Sequence, residues 1–387
     1  MIQILTDLFR ISFDVWTDYL FVSLAGLAVI AFGIQIYYYF YFYLRIHRYR
    51  TSGPKETSDP VTVIICAKNE AENLEKNLPL VLTQDYPNFQ VVVVNDGSMD
   101  DTADVLARMQ QQYDHLYVTR IEHTHPYPHA KKLAQTIGVK AAKHDQLLFI
   151  DADCRPAGAD WIRLMQSNFT PRKEIILGYG AYEKRKGLAN LFIRMDTVWI
   201  AQQYISYALR GVPFMGVGRN LAYRRSLFFN NKGFANQLHL QSGDDDLFVN
   251  QTANSTNTAV EYHPGSFTIS EPMPDMKSWL RQKRRHLTTG LHYHRLHRFL
   301  IGLEIVSREY FYLAIIVLLA MWQLPGYLIV MLLFRWTMHL WITKLTMRRF
   351  SEKGILLFSL LYDLIMPAVS GFLILKTKMK KTKQFNW

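Results

Sequence analysis

From Tyr19 to Leu44 the chain carries no charged residue, and the run closes on Arg45, His47, Arg48 and Arg50. No other feature constrains the fold as tightly. Hydrocarbon offers the backbone no hydrogen-bonding partner, so a lone segment of this kind must be helical. About 20 apolar residues cross a bilayer, so the stretch is long enough. The aromatic run Tyr37–Tyr43 fits the interfacial belt. A cleaved signal peptide fits less well: the apolar run is too long, no basic cluster precedes it and no small-x-small site follows. Residues 1–50 are therefore expected to form an N-terminal amphipathic segment and a retained transmembrane anchor.

The C-terminal part repeats the pattern. Tyr310–Phe334 is uncharged with Pro325-Gly326 inside it, and Arg335 interrupts an apolar pattern that continues to Ile342. Two arrangements suit this: a two-helix hairpin turning at Pro325, or one span followed by an interfacial helix. Lys344, Arg348, Arg349 and Lys353 follow, then apolar residues 354–375 and a Lys-rich tail. With both basic clusters cytoplasmic, that last stretch is not a simple single span. Asp363 and Pro367 within it suit a re-entrant or interfacial segment. The net charge of +12 gathers beside these apolar stretches, and no basic block is long enough for a nucleic-acid arm. A membrane surface, with its lipids, is the expected partner. Cys66 and Cys154 are the only cysteines, so a disulfide scaffold or a paired-cysteine metal site is excluded, and a reducing compartment is expected.

Between the apolar ends, residues 51–60 form a polar linker, and a regular alternation follows. Strand-like runs at 61–66, 90–94, 116–119 and 147–150 are separated by helical patterns at 71–82, 102–113 and 131–143. Strands separated by helices imply right-handed βαβ units and a parallel sheet. Ligands of such sheets bind at the carboxyl ends of the strands. Those ends read Ala67-Lys-Asn69-Glu70, Asn95-Asp96-Gly97-Ser98-Met-Asp-Asp101 and Asp151-Ala-Asp153-Cys154, so three polar clusters converge on one edge.

Each cluster has a structural and a chemical reading. Ser98 and Asp101 are expected to form a capping box for the following helix. Asp96, ahead of the turn, can accept an imide N–H of a uracil ring. Asn69 suits a helix cap and Glu70 a helix N-terminus, and both are compatible with ligand contact. Lys131 and Lys132 stand at a helix start, where the dipole disfavours cations, and so point to an anionic partner such as phosphate. Asp151 and Asp153 suit a hard divalent cation. Gly243-Asp244-Asp245-Asp246 places three acids together, which repel one another and stabilise nothing alone; a general base needs one such carboxylate held near an acceptor hydroxyl, with its neighbours hydrogen-bonded. In Trp279–Gly290, Gln282 and Arg285 share a helical face, and an arginine there can grip a diphosphate. Arg281 and Lys283 of the same segment are expected on anionic lipid. His292, His294 and His297 lack a zinc spacing and are expected to pack at the interface.

Four landmarks stand in order: Val63-Ile-Ile-x-Ala67-x-Asn69-Glu70, Val94-Asn-Asp96-Gly-Ser-x-Asp-Asp-Thr102, Asp151-Ala-Asp153, and Gly243-Asp244-Asp245 followed by Gln282-x-x-Arg285. Over roughly residues 60–290 the chain resembles the membrane-bound family 2 glycosyltransferases, the group of cellulose, chitin and hyaluronan synthases and ceramide glucosyltransferase. The resemblance implies the GT-A fold: an α/β, Rossmann-like nucleotide-binding mixed sheet flanked by helices, here with N- and C-terminal transmembrane helices. It implies a catalytic domain over 61–275, basic interfacial helices over 276–305, and membrane segments with a basic tail over 306–387. The domain would be cytosolic, at the cytoplasmic face of the cell membrane.

The implied reaction moves a sugar, with inversion, from a nucleotide-sugar donor (most often UDP-linked) to a lipid-linked or membrane-proximal glycan acceptor. Mg2+ or Mn2+ would be the cofactor. Ala67, Asn69, Glu70, Asp96, Lys131, Asp151, Asp153 and Asn220 would contact the nucleotide or donor, with Asp153 and Asp151 on the metal. Asp245 would be the base beside Asp244, with Gln282 and Arg285 at the acceptor and leaving diphosphate. Arg284 and His286 would face the acceptor. Asp244 replaces a frequent Glu, and His286 replaces the Trp that closes the family's Gln-x-x-Arg-Trp motif and on which long polymers stack. That departure favours a lipid-linked acceptor over processive synthesis. A phosphatase built on Asp151 as nucleophile and a non-catalytic nucleotide-sugar scaffold are the readings from other classes. The phosphatase lacks its later acidic residue, because Val249 stands there.

Overall fold

A computed structural model describes residues 19–379 apart from 52, 54–57, 123–129, 239 and 241. The segment ahead of Tyr19, half of the 51–60 linker and the end of the Lys-rich tail lie outside the described residues.

The chain enters as helix α1 (Tyr19–Tyr37), continues through a π-turn over Tyr38–Tyr43, and ends in a short helix over Arg45–Arg48. β1 (Val61–Ala67), α2 (Ala71–Leu82), β2 (Phe89–Asn95), α3 (Thr102–Gln112), β3 (Leu116–Arg120), α4 (Ala130–Ala141) and β4 (Gln146–Phe149) then alternate as the periodicity predicts. β1, β2 and β4 are almost wholly buried because helices cover both faces, which is why they read as unbroken aliphatic runs, while the edge strand β3 is partly exposed. β5 (Cys154–Pro156), β6 (Ile175–Leu177), β7 (Gly180–Tyr182), helix α5 (Leu188–Leu209), β8 (Leu221–Arg224), α6 (Asp246–Thr252), β9 (Thr258–Val260) and β10 (Thr268–Ser270) complete the domain.

The main sheet has the order β3-β2-β1-β4-β8-β6-β9. Its first four strands are parallel, and β8 lies antiparallel to both β4 and β6. The sheet is therefore mixed, as the GT-A resemblance implies. A second sheet, β5-β10-β7, hangs directly after Asp153 and fixes the exit of the Asp151-Ala-Asp153 turn.

Downstream come α7 (Met276–Thr289), α8 (Arg295–Ala320), α9 (Pro325–Arg349) and α10 (Phe358–Met379). Three segments, Phe21–Arg48, Pro325–Arg349 and Phe358–Lys376, are long and apolar enough to cross a membrane. Helices α8 and α9 form the hairpin: Trp322 and Leu324 adopt left-handed backbone, and Pro325 opens α9. Helix α10 runs unbroken through Asp363 and Pro367, which fits a continuous span or the interfacial alternative and not a re-entrant turn. Asp363 is buried instead by charge pairing. It bonds Arg335 (2.6 Å), Arg308 (3.1 Å) and the Tyr312 hydroxyl (2.6 Å), while Arg335 also reaches Gln35 of α1 (3.1 Å). One ionic node thus joins all four helices.

The largest apolar core mixes the two halves of the chain. Tyr39, Tyr43, Ile342 and Met366 from the apolar helices pack in one cluster with Phe149, Tyr204 and Phe248 of the sheet layer. A separate cluster under α2 and α3 holds the other face of the sheet.

Candidate active site

The carboxyl ends of β1 and β2 are knitted to each other. Asn69 has φ of +56°, and its backbone N–H donates to Ser98 Oγ (2.9 Å) while its Oδ1 accepts from Met99 N (2.8 Å). It clamps two loops and does not cap α2. The expected Ser98/Asp101 capping box is absent too, because Asp100 takes that work. One oxygen of Asp100 accepts from Thr102 N and Oγ1 (3.1 and 2.6 Å), and the other accepts from Ala71 N (3.1 Å), so one carboxylate serves two helix starts. Asp96 is buried beneath this clamp, 3.9 Å from Lys68 Nζ, and its backbone N–H bonds the carbonyl of Ala67. Burial lifts the Glu70 carboxyl above its ordinary range; a hydrogen bond from Asn73 opposes this, and Asp153 and Asp151 add to it.

Asp151, Asp153 and Cys154 bring their ligating atoms within 4.8 Å of one another. Burial, then the charge of Asp151, raises the Asp153 carboxyl. Two hard oxygen donors forced together in this way suit Mg2+ or Mn2+. Cys154 does not complete the set: its sulfur contacts Ser270 Oγ (2.8 Å), and burial holds the thiol neutral.

Lys131 links this pair to the second acidic group. Its Nζ lies 3.3 Å from Asp151 and 3.3 Å from Asp244. Burial opposes its charge, but Asp151, Asp244 and Asp245 outweigh that and hold the ammonium above its ordinary pKa. Lys132 faces away and donates to the carbonyls of Gln237 (2.7 Å), Leu240 (2.6 Å) and Ser242 (3.0 Å). It shapes the loop leading into Gly243; it is not an anion ligand.

The three acids of 244–246 have three environments. Burial works against the charge of Asp244, but Lys131 prevails and its carboxyl sits below the usual range. Asp246 accepts from the Tyr293 hydroxyl (2.8 Å), the Thr289 hydroxyl and Leu247 N (2.8 Å), tying α6 to the end of α7. Asp245 accepts from the N–H of Gly218 (2.6 Å) and of Asp246 (2.8 Å). Burial first, then Asp244 and Asp246, push its carboxyl up to about 7. One ionised acid, one acid engaged by hydroxyls and one titrating near neutrality share a single turn.

A cleft of 640 Å³ joins these groups. Lys131, Asp151, Asp153, the three acids, Gln282, Arg285 and His286 all line it. Enclosure by the cleft walls, then the positive charge of Arg285 and Lys131, holds the His286 imidazole down to about 3, although the ring faces the open space. His286 is thus a neutral hydrogen-bonding group lining the cleft.

Some expected residues stand elsewhere. Ala67, Asn69, Glu70, Asp96 and Arg284 are not among the residues lining this cleft. Asn220 is fully buried, with its amide taken up by Trp161 Nε1 (3.1 Å) and the carbonyls of Tyr179 and Ser266 (2.8 Å each). It brackets strands and leaves nothing for a sugar. Its neighbour Arg219 lines the cleft in its place, donating to the Gly180 carbonyl (2.8 Å) and lying 4.3 Å over the Tyr182 ring. A single arginine inside the apolar, glycine-rich Gly216-Val-Gly-Arg219 run was the signal for it. Lys283 is not on lipid: it pairs with Asp196 on α5 and is largely buried. His297 packs as expected, 2.8 Å from the Asn250 amide.

A seven-stranded mixed sheet with acids, a lysine and an arginine converging at one edge is the architecture of the GT-A glycosyltransferases. Two family models place the chain more closely: "Glycosyl transferase family 2" matches residues 62–229, and "Glycosyl transferase family group 2" matches residues 147–373. The chain belongs to glycosyltransferase family 2. It is 37% identical over 98 residues to glycosyltransferase AglE of Haloferax volcanii, an alignment covering 25% of this chain and 31% of that protein. It is 30% identical over 93 residues to the poly-beta-1,6-N-acetyl-D-glucosamine synthase of Staphylococcus aureus, covering 24% of this chain and 21% of the synthase. These alignments span less than a third of either relative's length. The solved mannosyltransferase PcManGT of Pyrobaculum calidifontis, in complex with GDP-Man and Mn2+, shares the fold. Its TM-score is 0.60 at 18% identity, over 92% of this chain and 99% of that one.

Proposed function

We propose that the chain is a metal-dependent, inverting transferase. It moves a sugar from a UDP-sugar to a hydroxyl of a lipid-linked or membrane-proximal glycan acceptor at the cytoplasmic face of the membrane. The observation that carries this reading is the position of Asp245: a carboxylate pushed toward pKa 7 in the cleft that also holds the Asp151/Asp153 pair. A base works best when its pKa lies near the working pH.

Asp151 and Asp153 would hold Mg2+ or Mn2+, whose charge supports departure of the nucleoside diphosphate. The mannosyltransferase that shares the fold was solved with GDP-Man and Mn2+, which supports a nucleotide-sugar donor and a divalent ion. Arg285 faces the same cleft and presents a planar fork of donors to a diphosphate. Lys131 keeps Asp244 ionised and balances the acids when the donor is absent. The Gly218 and Asp246 N–H groups fix one rotamer of Asp245, whose free lone pairs take the acceptor proton as its oxygen attacks the anomeric carbon. One displacement with one base leaves an inverted centre and requires no covalent intermediate.

The test is nucleotide release from a panel of nucleotide sugars, with and without chelator, in the unsubstituted protein and Asp245→Asn. Metal-dependent release from one donor, lost in Asp245→Asn, is the expected result. Full activity in the variant removes Asp245 as the base.

A further inference from the structure

Resting on the transferase reading above, we propose that the acceptor is a membrane amphiphile whose aliphatic chain lies in a slot between α8 and α10, with its hydroxyl-bearing head at Asp245. The cleft does not end at the acids. The same cavity continues past Tyr293 and Arg298 into a region walled by Ile301, Gly302, Ile305, Met366, Gly371 and Ile374.

The two walls are single helical faces. On α8 the lining positions 298, 301, 302, 305 and 308 follow the three-to-four spacing of one stripe, and on α10 positions 362, 366, 370, 371 and 374 do the same. At a rise of 1.5 Å per residue, the stripe on α8 is about 15 Å long. The opposite faces carry exposed Leu296, Phe299 and Leu313 on α8, and Leu361, Leu364, Phe372 and Leu375 on α10. Between Arg298 and the Arg308/Tyr362 end, the slot is thus walled mainly by apolar side chains on helices whose outer faces are themselves suited to lipid.

Composition along the cavity changes with position. Carboxylates, Lys131 and Arg285 surround the transfer centre, where a polar head is needed. Arg298 stands between the halves, its guanidinium bonded to the Leu291 carbonyl (3.3 Å) and to no carboxylate among the described residues. Beyond it the walls are mostly aliphatic, with Ser370 among them and Arg308 and Tyr362 at the far end. A growing glycan needs hydroxyl partners and stacking platforms along its path, and Ile301, Ile305, Met366 and Ile374 provide neither. An alkyl chain needs only apolar width. Two glycines supply that width: a Cβ built on Gly302 or Gly371 meets no atom within 4 Å. Both lie inside helices, where leucine is the better helix former, so filling the slot does not oppose the fold.

The experiment uses the full chain in nanodiscs with a long-chain alkyl glycoside carrying a diazirine in its aliphatic chain. Photolysis is expected to place adducts in the peptides spanning 298–308 and 362–374, and Gly302→Leu with Gly371→Leu is expected to abolish them. Transfer to the same probe should fall by about tenfold or more in kcat/KM in that double variant, with donor affinity retained as the sign that it is folded. Adducts confined to other helices, or transfer untouched by the double variant, overturn the slot. If the unsubstituted protein releases no nucleotide from any donor, the transferase reading fails, and the adduct map still decides whether the slot holds a lipid chain.

Discussion

The pH dependence of transfer should read out the charge arrangement at residues 244–246 directly. Asp245 must be ionised to accept a proton, and its carboxyl is pushed up to about 7. At pH 6 about one molecule in ten then carries the active form, and at pH 8 about nine in ten, so kcat/KM should rise about tenfold between them. Two substitutions should move the midpoint in opposite directions. Asp244 is a negative neighbour that raises Asp245, so Asp244→Asn should lower the midpoint. Lys131 is a positive neighbour that lowers it, so Lys131→Met should raise it. Each displacement should be about one unit, equivalent to about 1.4 kcal/mol of charge–charge interaction in a partly shielded site. Steady-state nucleotide release at saturating donor and metal, from pH 5.5 to 9, supplies the profiles. A flat profile, or midpoints moving the same way in both variants, refutes the assignment of the base.

Other outcomes follow from the same geometry. Arg285→Ala should lower kcat by about 10²–10³ with a smaller effect on donor KM, measured under the same assay, if its fork serves the departing diphosphate as proposed. Asn220→Ala should lower the midpoint of thermal unfolding while leaving donor KM within about twofold, since three buried hydrogen bonds are lost and no ligand contact is. Asp363→Asn should destabilise the protein by about 3–5 kcal/mol, read by denaturant titration in detergent micelles, because two buried guanidinium groups lose their shared partner. Thr289→Val with Tyr293→Phe removes both hydroxyls from Asp246. It should shift the pH midpoint of transfer downward, as Asp246 without its hydroxyl partners takes up a proton and its charge no longer raises Asp245.

The alternation of β1 through β4 with α2 to α4 was legible because aliphatic strands and amphipathic helices carry different periods. Asp151, Asp153, Asp244, Asp245 and Arg285 were legible because charge in such places is costly without a purpose. Asn220 misled for the opposite reason: an amide serves a buried bracket as well as a ligand, and its type alone does not tell which. The roles of Asp100 and Asn69 depend on which of several short polar side chains reaches a neighbouring loop, and local spacing does not encode that. Lys283 and Asp363 look like surface charges in one dimension. Each is buried by a partner far away in sequence, Asp196 for one, Arg308 and Arg335 for the other.

The apolar core that runs from the sheet into Tyr39, Tyr43, Ile342 and Met366 has one further consequence. The sheet does not hang from its anchor on a tether; it is seated on the helices as part of the same solid body. The height of Asp245 above those helices is therefore constant. On the proposed reading, a hydroxyl held in the bilayer surface would meet Asp245 at one reach, and acceptors would be selected by length as a calliper does.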